Sequence, residues 1–228
     1  MKKTAWIALG AAVVLAGGGY AAYDYFTGNH VEVREVIGKA DSAAAASGTA
    51  VGAEQLDSVW HLAEESEVYL SLQTSKEPVN MTLGKVEGSW TINTGDASQM
   101  KGEGKIDLSG VDSGNPTRDD HIKGDRFLDT GKYPEATFEA SAFEGLPEQW
   151  QEGVPAEFQM KGTLTVRGIT KDVVFNSKAV YEQGQVKMEG STVVTFADFG
   201  MENPHQVLVE TENNVTIQLQ LILDKTQA

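Results

Sequence analysis

The fold is indicated most clearly by the stretch Val215-Thr216-Ile217-Gln218-Leu219-Gln220-Leu221-Ile222-Leu223 near the end of the chain. Apolar residues occupy every second position, from Val215 to Leu223, and the polar residues Thr216, Gln218 and Gln220 lie between them. Successive side chains of a β-strand point to opposite faces of the sheet. The stretch therefore predicts a strand with one apolar face and one polar face.

The same period-two alternation recurs through most of the chain, whereas helical periodicity is nearly absent. Glycine-containing turns separate the alternating segments, as at Arg167-Gly168 and Gln183-Gly184. We predict about eight antiparallel strands, and sheets of this size remove their exposed edges by closing into a barrel. Beyond Val215–Leu223, the predicted strands include Val68–Gln73, Lys85–Asn93, Met100–Leu108, Thr137–Phe143, Lys161–Arg167, Asp172–Tyr181 and Gln185–Phe196.

One long segment, Gly110–Pro134, interrupts this pattern. A connection of this length within a compact domain is unusual and is often a lid or a binding loop. Thr117 and Asp120 have the spacing of a helix capping box, so we predict a short helix in this insertion.

The N-terminus has the pattern of a membrane segment. No residue from Thr4 to Tyr23 is charged, Lys2 and Lys3 precede the run, and about 20 apolar residues suffice to cross a bilayer. We predict a membrane anchor at 1–28, a flexible spacer at 29–57 and a barrel domain at 58–225. The alternative is a cleaved signal peptide, which would release the domain into the periplasm; both interpretations place it outside the cytoplasm.

Composition excludes several classes of function. The chain has no cysteine, which excludes disulfides and thiolate chemistry. Residues 29–228 contain 16 basic and 32 acidic residues, a balance that disfavours nucleic acid as a partner. Motifs of serine hydrolases, phosphate-binding loops and zinc proteases are missing, so we predict no enzyme activity and no cofactor. We interpret His61, His121 and His205, with Glu64 nearby, as surface residues and predict no metal site.

The order of several short motifs resembles the YceI-like, polyisoprenoid-binding family over about residues 58–225. The motifs of the first half are Trp60, Gly88-Ser89-Trp90, Arg118-Asp119-Asp120-His121, Asp125-Arg126-Phe127-Leu128-Asp129, Lys132-Tyr133-Pro134 and Thr137-Phe138. Those of the second half are Gly162–Lys171, Asp198-Phe199-Gly200-Met201 and the closing strand Val215–Leu223.

This resemblance implies an all-β, closed, antiparallel, lipocalin-like barrel that binds a long-chain isoprenoid or a similar amphiphile outside the cytoplasmic membrane. The alternative is a structural or interaction domain whose barrel is filled by its own side chains, since eight strands enclose a space that side chains can fill. On the lipid hypothesis, the predicted lining comprises Val68, Leu70, Leu72, Trp90, Phe138, Leu164, Val166, Phe175, Ile217 and Leu219.

The polar cluster Arg118, Asp119 and His121 in the insertion is a candidate site for a lipid headgroup, because an arginine guanidinium can donate two parallel hydrogen bonds to phosphate oxygens. The alternative is that Arg118 and Asp119 hold the lid loop through internal polar contacts. Acid–base catalysis by Asp119 and His121, as in a hydrolase or isomerase, is a third interpretation. The sequence does not specify the oligomeric state.

Overall fold

The computed structural model describes residues 31–38, 48–75, 77–204 and 211–225. These contain ten strands in one antiparallel sheet, two α-helices and three short 3-10 helices. The α-helices are α1 (Ala53–Leu56) and α2 (Pro116–Lys123). The strands are β1 (Ser58–Leu62), β2 (Glu67–Thr74), β3 (Pro78–Thr82), β4 (Val86–Ile92), β5 (Lys101–Asp107), β6 (Glu135–Glu144), β7 (Ala156–Val166), β8 (Ile169–Glu182), β9 (Gln185–Thr195) and β10 (Thr211–Asp224).

The sheet closes on itself, which confirms the predicted barrel. The strand order is β1-β4-β5-β6-β7-β8-β9-β10, and β10 returns to β1 through the pairs His61↔Asp224 and Leu62↔Leu223. Apolar residues of each strand alternate inward, so that Val215, Ile217 and Leu219 are buried in the barrel.

Two of the eight barrel strands are kinked, which accounts for the ten segments. β1 and β2 pair with successive parts of β10, while β3 and β4 pair with β2 and β1. At the first kink, Ser66 Oγ receives a hydrogen bond from the Ile222 backbone N–H and lies 3.1 Å from the Ile222 carbonyl oxygen. Pairing with β10 thus continues around the kink. The prediction missed β3, because Val79 and Met81 give only a short alternation after Pro78.

The two ends of the barrel differ. The end at which β5, β7 and β9 finish, which we call the lid end, is covered by the insertion between β5 and β6. At the opposite end, the Trp60 side chain packs edge-on against Tyr181 and donates a hydrogen bond to the Leu56 carbonyl at 2.7 Å. This far end is therefore filled by side chains.

The predicted short helix lies in the insertion as α2, but its N-cap is Asn115 instead of Thr117. Asn115 Oδ1 accepts hydrogen bonds from the backbone N–H groups of Thr117 and Arg118, at 3.1 and 3.2 Å. Pro116 follows at the first helical position, where the absence of a backbone N–H has little cost.

The predicted membrane segment lies outside the described residues. Within the described ranges, no helix combines the length and apolar character that crossing a membrane requires. Parts of the predicted spacer contact the barrel: Ile37 is 1% exposed, and Val51 and Leu56 belong to the hydrophobic core. The domain boundary at residue 58 stays a prediction.

Candidate functional site: an apolar cavity at the lid end

The lid half of the barrel contains an apolar cavity of about 120 Å³. Its walls include every residue that we predicted as lining except Leu72, which packs against the neighbouring cluster of Val79, Met81 and Val111. Leu72 lies two residues beyond Leu70 on β2, toward the β2–β3 hairpin and beyond the cavity. The predicted residues that line the cavity are Val68, Leu70, Trp90, Phe138, Leu164, Val166, Phe175, Ile217 and Leu219.

The cavity walls carry almost no polar groups. Lys105 is the charged residue among them, and its ammonium group binds Glu87 and Glu135 at 3.3 and 3.5 Å. These carboxylates are half-exposed, so the charge of Lys105 lies on the outside of the barrel. The interior can therefore accept an apolar, uncharged part of a molecule.

Glycines on β5 and β7 make room for two of the aromatic rings. A Cβ at Gly102 would lie 2.5 Å from Trp90 Nε1, and a Cβ at Gly162 would lie 2.7 Å from Phe138 Cζ. The Phe138 ring in turn packs edge-on against Phe175, with ring centroids 5.2 Å apart. A side chain at either glycine would therefore displace a ring that lines the cavity.

The Trp90 ring also brings a buried polar atom to this region. Its Nε1 makes no hydrogen bond to any described residue, although the side chain is 4% exposed. Leaving a buried donor without a partner costs about 1–3 kcal/mol.

Leu108, directly after β5, and Leu128, within the insertion, form part of the cavity wall. Leu128 is held in place by Arg167, whose guanidinium donates hydrogen bonds to the backbone carbonyls of Asp125, Arg126 and Phe127. Arg167 and Gly168 form the tight β7–β8 turn, and both have positive φ, as a type I′ turn requires. The sequence prediction did not assign Leu128 or Arg167 to the site, although both lie in motifs quoted for the resemblance.

The connection between β9 and β10 supplies the remaining wall. Phe199 and Met201 line the cavity, and Phe199 belongs to a 3-10 helix, Phe196–Phe199. Thr195 is the N-cap of this helix, and Asp198 completes the capping box: its Oδ2 accepts hydrogen bonds from Thr195 Oγ1 at 2.7 Å and from the Thr195 N–H at 2.8 Å. The pKa of Asp198 is lowered, mainly by the hydrogen bond that its carboxylate accepts from the Thr195 hydroxyl.

Arg118 and Asp119 lie outside the cavity wall. Asp119 Oδ1 accepts hydrogen bonds from the backbone N–H and hydroxyl of Ser113, while Arg118 donates to the Ser113 hydroxyl and carbonyl, each at 2.8 Å. Both side chains are buried and fix the loop before α2. His121 lies exposed on α2. A headgroup role for these residues stays a prediction.

Metal-ligating residues do not cluster in the described ranges: no group of three or more histidine, aspartate or glutamate side chains could hold an ion there. His205 lies outside those ranges.

Sequence comparison relates the chain to proteins of several bacteria. A UPF0312 protein of Shewanella oneidensis is 30% identical over 122 residues, which are 50% of this chain and 60% of the relative. A UPF0312 protein of Shewanella denitrificans is 31% identical over 131 residues, 53% of this chain and 62% of the relative. The chain thus spans about three fifths of the length of these curated relatives.

Two solved structures share the barrel. BcnA of Burkholderia cenocepacia has a TM-score of 0.60 at 19% identity, covering 69% of this chain and 96% of BcnA. A polyisoprenoid binding domain from Saccharophagus degradans, implicated in plant cell wall breakdown, has a TM-score of 0.58 at 15% identity and covers 74% of this chain and 98% of that domain. At these identities the similarity is one of fold.

The sequence model of the YceI-like domain family matches residues 60–223 of this chain. The chain therefore belongs to the YceI-like family.

Proposed function

We propose that the domain is a non-catalytic binding protein for a long-chain isoprenoid or a similar amphiphilic lipid, held in the barrel outside the cytoplasmic membrane. The observation that carries the proposal is the apolar cavity at the lid end. Burying each methylene contributes about 0.8 kcal/mol, so an acidic protein can bind a lipid tail without polar contacts. The polyisoprenoid-binding neighbour supports this choice of ligand class.

The size of the cavity sets a condition for binding. An apolar cavity of roughly 150 Å³ holds one benzene-sized molecule, so a volume of about 120 Å³ accepts only a short part of an isoprenoid. A longer ligand requires the cavity to enlarge. Rotation of Phe138 and displacement of Leu128 with the insertion would add space at the lid end.

The same volume favours a second candidate, a structural or interaction domain with a barrel mostly filled by side chains. The two proposals differ in one measurement. Lipid extraction and mass spectrometry of gently purified protein, before and after incubation with isoprenoids, should recover a long-chain lipid. A folded protein that carries none under both conditions would contradict lipid binding and favour the second candidate.

A pair of neighbouring variants makes this test specific to the cavity. Gly104 lines the cavity, and a Cβ there would make only ordinary contacts, the nearest at 3.7 Å from Trp90. We expect Gly104→Phe to fill the cavity and abolish lipid recovery. Glu103→Phe on the exposed outer face of the same strand is the control and should retain the lipid.

We further propose that residues 1–28 anchor the domain to the membrane, with the barrel on the periplasmic side. The uncharged run Thr4–Tyr23 after Lys2 and Lys3 supports this proposal. Expression of the full chain followed by carbonate extraction of membranes tests it, because an anchored chain stays in the membrane pellet and a processed chain does not.

A further inference from the structure

Residues 31–38, which we call the strap, lie across the outer face of the barrel. The strap is held mainly through its backbone: the Ile37 N–H donates to Glu189 Oε1 at 2.8 Å, and the Val36 N–H donates to Gln220 Oε1 at 3.0 Å. The side chain of Arg34 binds the Glu65 carbonyl at 2.7 Å and Glu67 at 3.4 Å. Glu189 also pairs with Lys178, so its carboxylate is positioned from both sides.

The strap has a defined direction on the barrel. Its first residue, Val31, accepts a hydrogen bond from Asn80 Nδ2 of β3 at 3.0 Å. Val31 also lies beside Gly114, since a Cβ there would be 4.0 Å from Val31 Cγ2. Gly114 precedes α2 in the insertion, whereas Glu189 lies in the middle of β9. The N-terminal end of the strap is therefore at the lid end.

We infer that the strap orients the barrel on the membrane, with the lid end facing the bilayer. This inference rests on the anchor of the proposed function. The uncharged run of the predicted anchor ends at Tyr23, and residues 24–30 separate it from Val31. Seven residues span at most about 25 Å when fully extended. The strap thus holds the lid end, and with it the cavity, within that reach of the bilayer surface.

The exposed apolar side chains agree with a lipid surface as the partner of the lid end. Four large apolar side chains of the described residues are exposed, and three of them lie on the lid-end halves of β8 and β9: Ile169, Val174 and Val193, at 38%, 41% and 58%. The fourth, Val59, is 46% exposed on β1, toward the far end. Apolar groups gain free energy by leaving water for the interfacial region of a bilayer. Because the chain carries a net charge of −15, a zwitterionic bilayer suits it better than an anionic one.

Single cysteines can report the orientation, because the chain has none of its own. Asp120→Cys places a donor dye on exposed α2 at the lid end, and Glu148→Cys places one in the exposed β6–β7 connection at the far end. The full chain is reconstituted in phosphatidylcholine vesicles that contain a lipid with a rhodamine headgroup. Energy transfer then measures the proximity of each position to the bilayer.

We expect transfer efficiency at position 120 to exceed that at position 148 by about twofold or more, because a 14-residue strand such as β10 is roughly 45 Å long. Equal transfer, or stronger transfer from position 148, would overturn the inference. Loss of the chain from the vesicles would overturn both the inference and the anchor. Lipid binding in the barrel is measured separately and would be unaffected by either result.

Two insertions separate the role of the strap from that of the linker. Twenty Gly/Ser residues add a root-mean-square length of about 25 Å. Placed between Asn29 and His30, before the strap, they should lower transfer at position 120 severalfold. Placed between Ala44 and Ala45, after the strap, they should leave it unchanged, because the strap stays bound to the barrel. An equal loss with both insertions would show that the strap does not hold the barrel and would overturn the inference.

Discussion

Trp90 and Gly102 face each other on β4 and β5, and a Cβ on the glycine would lie 2.5 Å from the indole Nε1. Such a contact is too short for any side chain, and the indole is a rigid ring that cannot bend away. The width of the cavity at this point therefore depends on a single missing methyl group.

We expect Gly102→Ala to push the Trp90 ring toward the cavity, to destabilise the domain by about 1–3 kcal/mol and to reduce the amount of bound lipid. Denaturant unfolding and lipid extraction measure the two effects. Gly104→Ala is the matched control: the new Cβ lies 3.7 Å or more from its neighbours, so its stability should change by less than about 0.5 kcal/mol. Equal stability losses in both variants would contradict this role of Gly102.

The sequence predicted the barrel well, because strands with one buried face repeat their apolar residues at every second position. Ile217 and Leu219 were assigned to the lining for this reason, and both line the cavity. The extent of the cavity along a strand is not encoded in the alternation. Leu72 therefore has the same pattern as Leu70 but lies beyond the cavity wall.

Contacts between segments distant in sequence could not be predicted in the same way. Arg167 reaches the carbonyls of residues 125–127 across about 40 positions of sequence, and Ile37 reaches Glu189 across 152 positions. Such contacts depend on the closure of the barrel and leave no local periodicity. The strap illustrates this limit, since its composition alone indicated a flexible spacer.

Arg167 should control the mobility of the insertion. Arg167→Ala removes the hydrogen bonds to three successive carbonyls, so we expect faster exchange of a fluorescent apolar probe and faster proteolysis within residues 124–131. Stopped-flow fluorescence and limited proteolysis measure these changes. Arg126→Ala is the control, because its ion pair with Glu202 is exposed and contributes about 0–1 kcal/mol. Similar exchange rates in both variants would show that Arg167 does not restrain the insertion.

Asp119 should be important for stability. Asp119→Ala removes the two buried hydrogen bonds that Asp119 accepts from the Ser113 N–H and hydroxyl, so we expect a loss of about 2–3 kcal/mol in denaturant unfolding. Asp120→Ala, at the exposed neighbouring position, should change stability by less than about 0.5 kcal/mol. If Asp119→Ala kept full stability but lost a charged-headgroup ligand, the headgroup interpretation would be favoured.

The capping hydrogen bonds of Asp198 in the 3-10 helix Phe196–Phe199 predict that the stability of the fold depends on pH. Because the pKa of Asp198 is lowered in the folded protein, its carboxylate stabilises the fold above the ordinary value of 3.8, and this contribution disappears as pH falls through the lowered pKa. We expect the stability difference between the wild type and Asp198→Asn to be constant at neutral pH and to shrink in strong acid. Unfolding curves recorded across this pH range measure the difference.

A second cap separates the stability effect of Asp198 from its effect on the cavity. Asp96 accepts hydrogen bonds from Ser98 before another 3-10 helix at the far end, and its pKa is lowered mainly by the Ser98 hydroxyl. Asp96→Asn should therefore show a similar pH dependence of stability. Lipid binding at neutral pH should weaken only in Asp198→Asn, because only that cap holds Phe199 in the cavity wall. Equal binding by the two variants would show that the position of Phe199 does not depend on Asp198.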